Sequence, residues 1–306
     1  MQIKKIIIFI LLLSISGTLF SQKDDILFKD IDYYFPYSPG NPDQIWELPR
    51  KLTEISGLGI IDSNRLACVQ DEKGNIYVFN LLIGEIEKKI DFGDDGDYEG
   101  VAIVNNDAWM LKSNGTLIEV VDFMNFNENN YHKHSTALKK KNDCEGLAYN
   151  PNSKQLLIAC KGHPYIGDKK SHKRKAFYHF DLTKNKLNKT PFLIIKNDSL
   201  KVYRDYNTMT RLGVDFLALL DDSKGDLSFQ PSAIAIHPIT GNLYILAAVG
   251  NLMVVVSNTY KILAIVDLKS SIHKQPEGIC FDNKGTMYIA NEGNESKGKI
   301  LKFKMH

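Results

Sequence analysis

The sequence predicts an all-β fold, a β-propeller of five four-stranded blades, and three observations indicate it. A unit made of a small or acidic residue, a Gly or Ala, an apolar strand, a turn and a second apolar strand recurs along the chain. The strand-like runs are rich in Val, Ile, Leu, Tyr and Phe and are bounded by Asn-Gly, Lys-Gly and Thr-Gly turns. Helical periodicity is confined to one segment that starts at Met209.

The first residues predict a secretory signal peptide over residues 1–21. Lys4 and Lys5 precede an apolar run from Ile6 to Leu13, and small residues follow up to Ser21. The run is too short and too interrupted for a comfortable membrane span. We therefore expect an exported protein, in the periplasm or at the cell surface. The alternative is an uncleaved N-terminal helix that anchors the chain, which would be its only contact with a membrane.

The recurring unit has five equivalent positions, and their spacing sets the number of blades. These positions are Ser56, Glu99, Glu145, Ser232 and Glu277. They are separated by 43, 46, 87 and 45 residues, and a blade takes about 40 to 45 residues. The longest interval raises the alternative of six blades, but the third unit extends to near Asp198 and leaves too few residues for another. We therefore expect five blades and a short helical insertion near residues 199–229.

The ring is predicted to close through an N-terminal strand. The last unit, which starts at Gln275, supplies only three strands. The segment IWELP, residues 45–49, stands where other units have their outermost strand, so it is expected to complete that blade and leave no open sheet edge. Residues 45–306 then form a single propeller domain, and residues 22–44 form a lead-in.

Composition argues against nucleic acid as a partner. The chain has 38 Lys and Arg against 36 Asp and Glu, for a net charge of +2. Binding to phosphates calls for a clear cationic excess or stripe.

The four cysteines are interpreted as buried free thiols. Cys68, Cys160 and Cys280 lie in apolar strand-like runs, and there is no Cys-x-x-Cys pair. Because an exported protein can form disulfides, pairing among the four stays open as the alternative.

Three glutamates are the strongest candidates for a functional site. Glu99, Glu145 and Glu277 occupy equivalent innermost positions, so they are expected to converge on one face of the propeller. Packed carboxylates must either take up protons or share a cation. Calcium suits such oxygen ligands, and no His pair accompanies them to favour zinc or iron. The alternative is that each Glu-Gly pair merely satisfies backbone N–H groups at a tight turn.

The segment LPRKLTEISGLGI, followed by DYEGVAI, DCEGLAY and QPEGICF, resembles the SdiA-regulated family of bacterial exported propellers. The resemblance extends over about residues 45–304 and implies a five-bladed propeller with a calcium ion at a shared site. By the matching EG motif, that site falls on Glu99, Glu145 and Glu277, with Asp71 and Asn291 as neighbours. Glu292, next to Asn291 in the chain, is a further candidate neighbour. The family has no established reaction.

The sequence therefore favours a calcium-binding recognition module of the cell envelope, whose partner is a small molecule, a glycan or an envelope protein. A calcium-dependent hydrolase that acts on lactones or esters is the first alternative, with Glu292 or His163 to transfer protons. A scaffold for protein interaction is the second.

Overall fold

The computed structural model describes residues 25–127, 130–167, 173–200 and 229–306, which form five antiparallel sheets around a central channel. The five blades predicted from the repeat are confirmed. The predicted signal peptide and residues 201–228 of the predicted helical insertion lie outside the described residues. Within the described ranges, no helix has the length and apolar character to cross a membrane.

Two N-terminal strands precede the first blade, and each blade then begins with its innermost strand. The N-terminal strands are β1 (Ile26–Lys29) and β2 (Gln44–Glu47). Blade one is β3 (Ile55–Ile60), β4 (Arg65–Gln70), β5 (Asn75–Asn80) and β6 (Glu85–Asp91). Blade two is β7 (Tyr98–Val104), β8 (Asp107–Lys112), β9 (Leu117–Val120) and β10 (Tyr131–His134).

The remaining blades follow the same order. Blade three is β11 (Cys144–Asn150), β12 (Gln155–Cys160), β13 (Arg174–Asp181), β14 (Lys186–Leu187) and β15 (Leu193–Lys196). Blade four is β16 (Ala233–Ile236), β17 (Leu243–Ala247), β18 (Leu252–Val256) and β19 (Ile262–Asp267). Blade five is β20 (Pro276–Phe281), β21 (Met287–Asn291) and β22 (Lys299–Phe303).

Helix is scarce in the described part of the chain, as the sequence predicts. Short 3₁₀ helices span Arg50–Leu52, Phe123–Asn125 and Lys140–Asn142. Residues 197–200 are helical and lead into the segment beyond the described residues.

The innermost strands surround the channel and close the ring. Each of β3, β7, β11 and β16 contacts the innermost strand of the next blade, and β20 contacts β3. Strands in the middle of a blade are buried along almost their whole length because neighbouring blades cover both faces of each sheet. In β4 and in β12, five of six residues are buried, whereas the outermost strand β6 is mostly exposed. This explains why the inner strands appear in the sequence as continuous apolar runs.

The N-terminal segment closes the ring and also extends blade four. Strand β2 pairs with β22 and becomes the fourth strand of blade five, which confirms the predicted closure. Within the predicted lead-in, β1 pairs with β19 as a fifth strand of blade four. Between these strands, Phe35 and Tyr37 are buried in the core shared by blades four and five.

Blade three departs from the regular four-strand pattern at its outer edge. Its outermost position is divided between β14 and β15, which pair with different residues of β13.

All four cysteines are buried and free, as the sequence favours. Cys144 and Cys160 lie opposite each other on β11 and β12, with their Sγ atoms 3.9 Å apart.

Candidate functional site

A β-bulge near the start of the innermost strand sets the predicted site residues apart from the sheet. In four blades the strand register skips one residue at the same place, and the skipped residues are Ser56, Glu99, Glu145 and Glu277. A bulged residue has no cross-strand partner, and the local bend of the strand changes the direction of its side chain. All four residues line one narrow opening of the central channel. We call this opening the carboxylate mouth.

Glycine after each bulge lets the innermost strands approach closely. A Cβ atom on Gly57 would lie 2.9 Å from the Cα atom of Gly100 in the next blade. A Cβ on Gly100 would lie 3.0 Å from the Cβ of Leu147, one blade further on. Only glycine fits such backbone contacts. The space at the carboxylate mouth is therefore small, about 10 Å³.

The two serines at the equivalent positions join neighbouring blades. Ser56 Oγ donates a hydrogen bond to the backbone oxygen of Tyr98, at 2.7 Å. Ser232 Oγ donates in the same way to Pro276 O, at 2.6 Å. Each acceptor precedes a glutamate of the site, so the serines fix the backbone that carries Glu99 and Glu277.

Glu145 is buried and Glu99 and Glu277 are half-buried, and the three carboxylates act on one another electrostatically. Burial is the main cause that raises the pKa of Glu99 to about 10, and the charges of Glu145 and Asp97 add to it. Burial and the charge of Glu145 likewise raise the pKa of Glu277 to about 8. Burial also raises the pKa of Glu145, even though a lysine opposes this shift. The structure thus brings together the three glutamates that the sequence singles out.

Lys161 is the cation closest to these carboxylates. Its Nζ atom lies 2.9 Å from Glu145 Oε1, and only 8% of the Glu145 side chain is exposed. Burial alone would lower the pKa of Lys161, but the charges of Glu145, Asp143 and Glu277 outweigh it and raise the pKa overall. One ammonium group therefore offsets one of the three glutamates when all are ionised.

The predicted neighbours Asp71 and Glu292 belong to a second acidic group beside the carboxylate mouth. Burial, followed by the charge of Glu54, raises the pKa of Asp71. Burial and the charges of Asp71 and Glu54 raise the pKa of Glu292. Gln275 connects this group to the mouth, because its Nε2 atom donates to Glu277 Oε1 at 3.2 Å and also to Glu292.

Asn291, the other predicted neighbour, is buried with 3% of its surface exposed. Neither its Oδ1 nor its Nδ2 atom has a hydrogen-bond partner in the described structure, and the same holds for Asp71 Oδ1. Buried polar atoms without partners are rare and usually mark a bound water or ion.

Sequence reasoning missed a second ring of polar residues two positions before the first. Its members are Glu54, Asp97, Asp143, Gln230 and Gln275. Asp97 and Gln275 act directly on Glu99 and Glu277. The residues of this second ring are equivalent in the same alignment of the repeat, so comparing the residues two positions before each site residue would have found them. Because the second strand of a blade ends on the same face, Lys161 is expected there from the sequence, but its pairing with Glu145 depends on the register of β11 and β12.

The site offers the oxygen ligands that a hard cation binds, but these side chains do not by themselves surround a single ion position. Carboxylate and amide oxygens surround the mouth, without thiol or imidazole groups among the glutamates' bonded partners. Among the described residues, no three His, Cys, Asp or Glu side chains lie close enough to hold a metal ion by themselves. Calcium takes six to eight oxygen ligands and accepts backbone and water oxygens among them. The oxygen atoms of the site are of the type that calcium binds, but the three carboxylates do not form a complete coordination shell by themselves.

Comparison with solved structures gives similarity at low sequence identity. The luciferin-regenerating enzyme matches 86% of this chain and 95% of its own, with 11% identity and a TM-score of 0.49. A structural genomics protein from Bacteroides thetaiotaomicron matches 86% of this chain and 73% of its own, with 8% identity and a TM-score of 0.49. Virginiamycin B lyase from Staphylococcus aureus matches 86% and 99%, with 12% identity and a TM-score of 0.47.

Comparison with curated proteins finds no match. A family model described as SdiA-regulated matches residues 48–295, which is most of the chain. The chain belongs to the SdiA-regulated family.

Proposed function

We propose that this SdiA-regulated propeller is a calcium-binding recognition module of the bacterial cell envelope. One observation carries the proposal: three glutamates from three blades lie, on equivalent bulges, at one mouth of the channel. A turn residue that only satisfied backbone N–H groups would not need to be ionisable, or to lie beside two like charges.

The charge balance at the mouth supports a bound cation. Lys161 pairs with Glu145, and Glu99 and Glu277 have no cation at salt-bridge distance among the described residues. These two groups stay neutral only while they hold protons, and the pKa of Glu277, about 8, is close to physiological pH. A divalent cation would replace those protons and remove the repulsion between the carboxylates.

Calcium, when bound, would supply positive charge and an oxygen-coordinating centre at this face. Glu99, Glu145 and Glu277 would hold it. Asn291 and Asp71, whose buried oxygen atoms lack partners in the described structure, would support it from the side. Any ion that binds only the folded state also stabilises the fold.

A cavity beside the carboxylate mouth supports the proposed recognition role. It has a volume of about 230 Å³ and lies between blades four and five, next to Glu277. Its polar lining consists of Lys161, Gln230, Ser232, Lys274, Gln275 and Glu277. These donors and acceptors would hydrogen-bond the hydroxyl groups of a small polar molecule or a short glycan.

Calorimetry with calcium and with glutamate-to-glutamine variants tests the proposal. We expect wild-type protein to bind calcium, and the Glu99→Gln, Glu145→Gln and Glu277→Gln variants to bind it at least about tenfold more weakly, because each loses a charged ligand. The exposed Glu85 at the start of β6 provides the matched control. Its Glu85→Gln variant should bind like wild type.

Two results would contradict the proposal. The first is absence of calcium binding in a folded wild-type protein. The second is equal binding by all four variants. Calcium binding together with calcium-dependent hydrolysis of a lactone or ester, lost in Glu292→Gln, would favour the hydrolase alternative.

A further inference from the structure

The channel opens on the opposite face through a second mouth of very different chemistry. A cavity of about 430 Å³ lies there, bordered by all five innermost strands and by the turns of blades three and four. In every blade, the residue four positions after the site residue has a large apolar side chain that lines this cavity. These are Ile60, Ile103, Tyr149, Ile236 and Phe281. We call this opening the apolar mouth.

The wall of the apolar mouth carries no charge. Among the described residues, no Asp, Glu, Lys or Arg lines the cavity. Its single imidazole, His237, is fully buried, and burial lowers its pKa. His237 Nε2 is 2.8 Å from Tyr37 Oη, and its Nδ1 accepts from the backbone N–H groups of Ile239 and Thr240. The ring is therefore held by internal hydrogen bonds and stays neutral.

The two mouths are separate sites. The innermost strands approach closely at Gly57 and Gly100, between the carboxylates and the apolar mouth. None of the three glutamates lines the apolar mouth. Occupation of the apolar mouth therefore does not require the carboxylates, and it goes beyond the function proposed above.

The rim of the apolar mouth combines one exposed apolar residue with uncharged polar groups. Ile239, in the turn between β16 and β17, is 58% exposed. Asn152, Thr240 and Asn258 lie beside it around the opening. The lining thus combines apolar side chains with uncharged polar groups, and the volume lies within the range of about 300 to 1,000 Å³ that is usual for small-molecule sites.

We propose that the apolar mouth binds an uncharged small molecule that is mostly hydrocarbon, an aromatic ring or an alkyl chain with a polar end. The apolar part would lie against Ile103, Ile236 and Phe281, and the polar end would stay at the rim. Transfer of the apolar part from water supplies the free energy of binding. A charged ligand is disfavoured, since no opposite charge lines the cavity to compensate for its desolvation.

Binding of N-phenyl-1-naphthylamine, an uncharged apolar probe whose fluorescence rises in apolar surroundings, tests this site in the full-length chain. We expect saturable binding by wild type. An aspartate at the wall (Ile236→Asp) or at the rim (Ile239→Asp) should weaken it about tenfold or more, because the charge and its water occupy the apolar space. Ile83, 62% exposed in the turn between β5 and β6, supplies the matched control Ile83→Asp.

The variants distinguish binding at the apolar mouth from binding elsewhere on the chain. Equal binding of the probe by wild type and both mouth variants would overturn the proposal, because the probe would then occupy a different surface. Because Ile239 is exposed, Ile239→Asp tests the site even if Ile236→Asp does not fold. The Glu99→Gln and Glu277→Gln variants should bind the probe like wild type, because neither glutamate lines the apolar mouth. The probe experiment therefore tests the apolar mouth even if the protein does not bind calcium.

Discussion

At the scale of single residues, the carboxylate mouth depends on what neutralises Glu99 and Glu277. Both lie on bulges that remove them from strand pairing, and both have raised pKa values. Lys161 pairs with Glu145 rather than with either of them. A cation bound as proposed would compete with protons for the same two groups, and this competition can be measured through pH.

Without calcium, the free energy of unfolding should fall as pH rises. The folded protein holds protons on Glu277 up to a pKa of about 8 and on Glu99 up to about 10, whereas the unfolded chain releases them near the ordinary value of 4.5. Between these limits the folded state binds more protons, so stability is complete below the unfolded value and is lost as pH rises through the folded values.

Urea unfolding between pH 5 and about pH 9.5, with a chelator present, measures this effect. The Glu99→Gln variant should lose less stability over that range than wild type, and Glu85→Gln should follow wild type. Saturating calcium should also reduce the loss, because metal binding requires deprotonated carboxylates. A profile for Glu99→Gln that is identical to wild type would mean that folding does not raise the pKa of Glu99.

At the scale of elements, the bulge and the glycine after it act together in each innermost strand. The bulge presents the site residue, and the glycine allows the next blade to approach until the strands touch. Blade four differs, because it has Ala233 where the other blades have glycine. Its Ser232 still reaches the next blade through the bond to Pro276.

A methyl group at Gly57 should weaken this contact. In Gly57→Ala the new Cβ would lie 2.9 Å from Gly100 Cα, which is backbone and cannot rotate away. We expect a loss of about 1 to 3 kcal/mol in the free energy of unfolding, as for other overpacked sites. In the control Gly93→Ala, the nearest atom is Tyr98 Oη at 3.8 Å, and the change should stay within about 0.5 kcal/mol.

Chemical denaturation of both variants checks this prediction. Equal stability of Gly57→Ala and wild type would show that the innermost strands can move apart at no cost. In that case the narrow point between the two mouths would not be rigid.

At the scale of the whole molecule, the propeller is a ring that its N-terminal strand closes. Blade five has three strands from the end of the chain and takes its fourth, β2, from the beginning. Trp46 on this strand is 8% exposed and packs in the core between blades one and five. The ring therefore depends on residues that lie far apart in sequence.

Trp46→Ala should destabilise the whole domain. Loss of a buried tryptophan side chain costs about 3 to 5 kcal/mol, and because it loosens the closing strand, the unfolding midpoint of all blades should shift together. Its neighbour Ile45 is 52% exposed, so Ile45→Ala should cost about 0.5 kcal/mol or less. Thermal unfolding followed by circular dichroism compares them. A local change in blade five without a shift of the main transition would argue against closure as the source of stability.

The blade count, the closing strand and the three equivalent glutamates could all be predicted from the sequence, because each follows from periodicity. A repeat places equivalent residues at equivalent points of a ring, so Glu99, Glu145 and Glu277 could be brought together without coordinates. The buried cysteines also follow from local apolar runs.

The interactions of those residues could be found only in the folded chain. The pairing of Lys161 with Glu145 depends on strand register, and the link from Gln275 to Glu292 depends on side-chain geometry. The fifth strand on blade four and the apolar mouth arise from contacts between segments distant in the chain. Periodicity specifies which positions are equivalent, but distances, burial and cavities are set by how the blades pack against one another.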